Sequence, residues 1–126
     1  MRKKFGHTCP VRHTLDLIGG KWKLPIVSQL SQGTRRFTEI ERALIGISAR
    51  MLIKELKELE RHGLLTRTVF AAVPLRVEYA LTPAGHSLGP LLRVMHDWGA
   101  GHMQAQASPA PEGWPAPCFA QELASA

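Results

Sequence analysis

The chain has 126 residues, a net charge of +6 and two cysteines, Cys9 and Cys118. That length suits one domain with a core of its own, two cysteines are too few for a disulfide-built scaffold and fit a reducing cytosol, and no apolar run is long enough to span a bilayer. All sixteen Lys and Arg and eight of the ten acids fall within residues 1–103, so the positive excess favours a polyanionic partner, and nucleic acid ahead of a membrane surface, because no basic helix carries exposed Trp or Phe opposite its charges.

Residues 1–8 read as a basic arm with no hydrophobic signal core behind it, so a cytoplasmic location is expected. Pro10 at a first helical position, with Cys9 as the cap before it, starts a short helix to Ile18, with Val11, Leu15 and Ile18 on its inner face. Gly19 and Gly20 end it. A second helix is expected over 21–30, with Trp22, Ile26, Val27 and Leu30 inward; Pro25 lacks an N–H, which delays regular hydrogen bonding or kinks the first turn. Thr38 and Glu41 have the spacing of a capping box before a helix to Leu44, with Phe37, Ile40 and Leu44 buried.

A short Gly46 turn leads into the most informative stretch, residues 49–62. Ala49, Leu52, Leu56 and Leu59 form one apolar stripe, and Arg50, Lys54, Lys57 and Arg61 form a basic stripe about 100° around the helix. Ser48 can cap its start, and Gly63 stands where a left-handed residue ends a helix. A helix anchored on one side and cationic beside it fits a DNA groove; a merely solvated amphipathic helix has the same pattern.

Beyond Gly63 the period changes to two. Residues 65–70 and 76–81 alternate and are rich in β-branched side chains, with Ala72-Val73-Pro74-Leu75 between them, which predicts a β-hairpin. Thr82 and Pro83 then cap and open a last helix with Leu88, Leu91, Leu92, Met95 and Trp98 on a broad apolar face, kinked by Gly85, Gly89 and Pro90. The expected order is α-α-α-α-β-β-α, a mainly helical α+β winged helix-turn-helix. The expected divisions are an arm at 1–8, one domain at 9–103, and an Ala/Pro-rich disordered tail at 104–126, where Pro109, Pro111, Pro115 and Pro117 exclude a regular helix.

Linked motifs now carry a resemblance. Cys9-Pro10-Val11, Ile18-Gly19-Gly20-Lys21-Trp22-Lys23, Arg36-Phe37-Thr38-Glu39-Ile40, Gly46-Ile47-Ser48-Ala49-Arg50-Met51-Leu52, Leu56-Lys57-Glu58-Leu59-Glu60-Arg61-His62-Gly63-Leu64, Val73-Pro74-Leu75-Arg76-Val77-Glu78-Tyr79 and Leu81-Thr82 follow in this order. Together they resemble the HxlR-type winged helix-turn-helix transcription regulators of bacteria, over roughly residues 9–102. The resemblance implies a homodimer that binds operator DNA near the genes it controls, most simply as a repressor. Leu75 departs from a second proline common at that place in the family, which touches the wing turn.

Within that frame Arg50 is the candidate for base reading, since guanidinium can fork onto a guanine edge, and Lys54 and Lys57 are candidates for phosphate or base contacts. Ser48 at the helix start suits a phosphate. Arg35 and Arg36 are candidates for backbone contacts, and Arg76 flanks the wing tip, within reach of a neighbouring groove. Arg61 lies beyond the groove, with Glu58 as a possible mate, and Arg67 can simply be solvated. A dimer would use the apolar faces of the first and last helices: Val11, Leu15, Leu88, Leu92, Met95 and Trp98. The plainer alternative is that the last helix packs only on its own domain.

Cys9, at a helix start near Arg12 and His13, suits a reactive thiolate. Members of the similar family that sense quinones, hypochlorite or disulfide stress do so through a cysteine at the matching place, which implies that Cys9 is a redox or electrophile sensor. The rival readings are an inert thiol in a dimer seam with a small-molecule ligand as effector, and a disulfide with Cys118. His7, Cys9 and His13 offer three ligands where a closed zinc site wants four, so neither a metal nor another cofactor is expected. No Walker loop, G-x-G-x-x-G, G-x-S-x-G or H-E-x-x-H motif is present, so no enzyme is expected. A winged helix that binds only proteins is the remaining alternative.

Overall fold

The computed structural model describes residues 9–105. The arm at 1–8, Trp114, Phe119, Cys118 and the rest of the tail from 106 lie outside the described residues. Nine elements follow in chain order: α1 (Pro10–Ile18), α2 (Lys23–Leu30), β1 (Arg35–Arg36), α3 (Phe37–Ala43), α4 (Ala49–Arg61), β2 (Leu65–Phe70), β3 (Arg76–Leu81), α5 (Pro83–His86) and α6 (Gly89–Ala105). No helix among them is long and apolar enough to cross a membrane.

The core is built around α2. Ile26, Val27 and Leu30 are almost wholly buried, and the helix is covered on nearly every side. Pro25 is tolerated because it sits in the first turn; the first regular bond runs from the Ile26 N–H to the Trp22 carbonyl, 3.1 Å. Ile40 and Leu44 close the core from α3, Leu52, Leu56 and Leu59 from α4, and Leu65 and Tyr79 from the sheet. Each such side chain contributes about 1.5–3 kcal/mol by leaving water.

The expected hairpin is present with its expected bounds, paired from Leu65 opposite Leu81 to Phe70 opposite Arg76. A third strand was not foreseen. β1 pairs with β3, Arg35 opposite Tyr79 and Arg36 opposite Glu78, so the sheet order is β1-β3-β2. Two residues carry no readable alternation. This pairing also moves the start of α3. The chain reaches Arg36 extended (φ −86°, ψ 160°), and the helix begins at once. The cap is therefore Arg36, not Thr38, and its N–H donates to the Glu39 carboxylate at 2.8 Å. α3, the Gly46 turn, α4 and the hairpin form the winged helix-turn-helix.

The expected last helix is two helices. Thr82 caps α5, its Oγ1 accepting from the Gly85 N–H at 3.1 Å. The same hydroxyl donates to the Gly63 carbonyl at 2.6 Å. Pro90 has no N–H to continue the ladder, so α6 starts afresh at Gly89. It runs through Gln104 to Ala105, two residues into the expected tail.

Two glycines are dictated by geometry. Gly63 ends α4 with φ +76°, where side-chain-bearing residues are strained. Gly85 is buried where α5 crosses the sheet: a Cβ there would lie 2.1 Å from the Leu64 carbonyl oxygen and 2.9 Å from Leu81 Cδ2. Gly85→Ala is expected to destabilise the domain by about 1–3 kcal/mol, the usual range for overpacking, read as a lowered urea midpoint. Gly89→Ala, whose added Cβ meets nothing within 4 Å, is the control and should leave the midpoint nearly unchanged.

Candidate nucleic-acid interface

The interface is organised by α4. Ser48 enters extended, and its Oγ accepts the Met51 N–H at 3.1 Å, satisfying one of the helix's unpaired donors. Leu52, Leu56 and Leu59 are at most 1% exposed and seat the helix on α2 and the sheet. Ala49, the first member of the expected apolar stripe, is exposed. Arg50, Lys54, Lys57 and Arg61 are all exposed along one side. Arg50, Lys57 and Arg61 are in no ion pair among the described residues, and Lys54 is paired only at 3.4 Å, with Glu58 one turn on. Arg61 therefore does not take Glu58.

What Glu58 does take was missed by the sequence reading. Lys23, at the start of α2, is buried, and its Nζ donates to Glu55 Oε1 at 2.5 Å and to Glu58 Oε1 at 2.6 Å. Glu55 is itself buried on the inner side of α4. A signal was available: Glu55 falls between Leu52 and Leu59, on the stripe that must be covered, and a carboxylate there requires a buried cation. Burial by itself would lower the Lys23 pKa, but the hydrogen bonds and charges of Glu55 and Glu58 outweigh it and raise it above the ordinary 10.5. The hydrogen bond from Lys23, helped by its charge and by Lys54, holds the Glu58 carboxyl below its ordinary 4.5 against a smaller opposing effect of burial.

The wing offers little free charge, as its apolar tip leads one to expect. Arg76 turns back on the hairpin: its Nε lies 3.0 Å from Glu78 Oε2, and its guanidinium stacks 4.4 Å from the centre of the Phe70 ring. Val73 and Leu75 are exposed at the apolar tip. Arg36 is exposed, and Arg35 is half-buried with its guanidinium 3.4 Å from the Gln32 side-chain oxygen. Arg67, set aside in the sequence as solvated, stands beside Tyr79 in register and lines a groove of about 520 Å³ between α4 and the sheet. Lys57 lines the same groove, over Phe37, Ile53 and Val77. Glu60 lines it too, so the groove offers two cations and one carboxylate around an apolar floor; Arg67 joins the candidate set on its place beside Lys57.

On the other side of the domain Cys9 is exposed and caps α1, its Sγ accepting the Arg12 N–H at 3.4 Å. Val11 and Leu15, expected to face inward, are 68% and 54% exposed, and only Ile18 of that trio is buried. Met95 and Trp98 on α6 are exposed as well, Trp98 stacked on His102 at 4.9 Å. Leu92 is buried in the chain's own core and Leu88 is half-buried against it, because the break before Gly89 turns them inward. The uncovered apolar side chains of α1 and α6 are thus Val11, Leu15, Leu91, Val94, Met95, Trp98 and Met103, without Leu88 and Leu92. Among the described residues no cluster of metal-binding side chains is found; His7 of the candidate triad lies outside them.

Residues 17–107 match the model of the HxlR-like helix-turn-helix family. The chain belongs to that family. It is 47% identical over 91 residues to YdeP of Bacillus subtilis, described as an uncharacterised HTH-type transcriptional regulator, covering 72% of this chain and 71% of that one. Among solved structures, the reduced form of the redox regulator HypR superposes with a TM-score of 0.75 at 40% identity, covering 80% of this chain and 100% of that one. The reduced form of the transcriptional regulator YodB from B. subtilis superposes at 0.65 and 35% identity, covering 72% and 90%. This HxlR-family chain is a DNA-binding transcription regulator of helix-turn-helix type, not an enzyme.

The Lys23 cluster makes the stability of this regulator depend on pH in a defined way. Glu58, held low, contributes stability that is complete above pH 4.5 and disappears as pH falls through its lowered value. Lys23, held high, contributes stability that is complete below pH 10.5 and disappears as pH rises through its raised value. Urea midpoints across pH should therefore be level between these limits and fall beyond both. Replacing Lys23→Met together with Glu55→Leu should remove the alkaline fall.

Proposed function

We propose that the protein is a homodimeric repressor that lays α4 of each subunit into successive major grooves of its operator. The observation that carries this is α4 itself, buried through Leu52, Leu56 and Leu59 and cationic outward through Arg50, Lys54, Lys57 and Arg61. Arg50, on the first turn, reads base edges; Lys54 and Lys57 meet phosphates or bases; Ser48, Arg35 and Arg36 hold the backbone; and Arg67 extends the contact toward the wing. Arg76, tied to Glu78, adds less charge than its position in the sequence suggested. The dimer forms through α1 and α6, whose exposed apolar side chains bring two copies of α4 to about 34 Å, one turn of duplex.

Each phosphate neutralised by Lys or Arg adds about 0.9 to the slope of log affinity against log salt. Arg50→Ala and Lys54→Ala should each weaken binding to a duplex from beside the protein's own gene. Lys54→Ala should flatten the salt slope by about that amount, whereas Arg50→Ala should chiefly erase discrimination against unrelated duplex. Unchanged affinity and slope in a salt series of mobility shifts would remove α4 from the groove.

We further infer that oxidation or alkylation of Cys9 releases the DNA. Its thiol is exposed at the end of α1, beside the face assigned to the dimer, and the redox regulator HypR is a structural neighbour in both its oxidised and reduced forms. Modification there changes how two subunits meet, and with it the separation of the two α4 helices. A second reading rests on the apolar groove of about 440 Å³ between α1 and α6, lined by Val11, Leu15, Leu24 and Met95, which has room for a small apolar effector, with Cys9 structural. Treatment with diamide or hypochlorite should release wild-type protein from DNA and leave Cys9→Ser bound; equal release of both removes Cys9 as the sensor, and release of neither leaves the groove as the site of control.

A further inference from the structure

The basic stripe of α4 is not a simple row of lysines. Glu58 stands between two ammonium groups: its Oε1 accepts from buried Lys23 at 2.6 Å, and its Oε2 lies 3.4 Å from exposed Lys54. The side chain of Lys54 is 61% exposed, while those of Lys23 and Glu55 are 10% and 11% exposed. Across Lys23, Glu55, Glu58 and Lys54 two positive and two negative charges balance, so what matters for a polyanion is how they are shared. The contact with Lys23 is shorter by 0.8 Å and lies in a drier site, where attraction is stronger. Glu58 thus spends its charge inward, and Lys54 keeps most of its own.

We propose that Lys23 is a positioning residue for DNA binding: by holding Glu58 from beneath, it keeps the Lys54 ammonium available to phosphate. Lys23 never touches the DNA. Without it, Glu58 has one partner, Lys54, at helical i,i+4 spacing, and the cation at the centre of the basic stripe is neutralised from within the chain. The inference rests on the reading that α4 enters the groove, and it adds that the strength of this contact is set from α2, on the far side of the helix.

The decisive variant replaces Lys23→Met and Glu55→Leu together. It leaves the net charge at its wild-type value and exchanges a buried ion pair for apolar groups of similar size, a change that is commonly neutral or stabilising. The probe is a mixed-sequence duplex of about 30 base pairs, titrated by fluorescence anisotropy over a salt series, with urea midpoints measured alongside. The expected result is a folded protein that binds about 2-fold more weakly, as one i,i+4 pair allows, with a slope flatter by up to about 0.9. Adding Glu58→Gln to that background should restore both. A folded double variant with wild-type affinity and slope overturns the proposal, and so does a loss that Glu58→Gln fails to restore, since that loss would come from displaced structure. Glu58→Gln alone keeps the question decidable if the double variant does not fold: with Lys23 in place it should leave affinity and salt slope nearly unchanged, and a clear tightening would show that Glu58 already neutralises Lys54 in the wild-type chain and would overturn the proposal. A wild-type chain that ignores the duplex at low salt sinks the DNA-binding reading itself, and this inference with it.

Discussion

The structure turns on a single demand made of α4: one helix must satisfy a dry interior and a cationic exterior at once. Leu52, Leu56 and Leu59 meet the first half by filling the space between α2 and the sheet. The turn of about 100° per residue then leaves Arg50, Lys54, Lys57 and Arg61 no inward option. The two halves are not independent, because Glu55 lies at the boundary and drags a carboxylate into the interior. Lys23 answers it from α2, and the neighbouring Glu58 is recruited to the same ammonium. Removing one partner of such a buried group costs about 3–5 kcal/mol, far more than a surface pair contributes, so the basic face and the core stand or fall together.

Much of this was legible in the chain because the signals were periodic. α4, the hairpin and the cap at Ser48 follow from apolar spacing, alternation and a single hydroxyl, all local properties. The misses share a different origin. β1 exists only because β3 is there to receive Arg35 and Arg36, and that pairing overrode a plausible cap at Thr38. A kink at Gly85, Gly89 and Pro90 was legible; that it becomes a full break follows from Pro90 acting together with the docking of Gly85 on Leu64, which is not local. Lys23 drew no notice in the sequence because its partners lie more than thirty positions away. Arg76 looked like a probe for DNA, but Glu78 and Phe70 claim it within the hairpin. Which cations of a basic protein stay free depends on how charges pair in the folded chain, locally for Arg76 and across the domain for Lys23, and linear charge counting is blind to it.

The opposite side of the domain follows a complementary logic. Val11, Leu15, Met95 and Trp98 are exposed although the core is already closed by Ile18 and Leu92. An apolar surface of this kind, contributed by two helices far apart in sequence, is what a second copy of the chain would cover. Cys9 precedes α1, two residues before Val11, so in the proposed dimer its sulfur would sit near the seam rather than near the DNA.

Thr82 joins several elements at one point. Its N–H reaches the Leu64 carbonyl, its hydroxyl reaches the Gly63 carbonyl, and the same oxygen receives the Gly85 N–H. The end of α4, the root of the hairpin and the first turn of α5 are thereby bolted to a common rivet. The opposite end of the hairpin, around Val73 and Leu75, is exposed. Evolution can therefore lengthen or shorten the chain at the tip of the wing at little cost to the core, while an insertion at the root would unfasten the helices that follow it from α4.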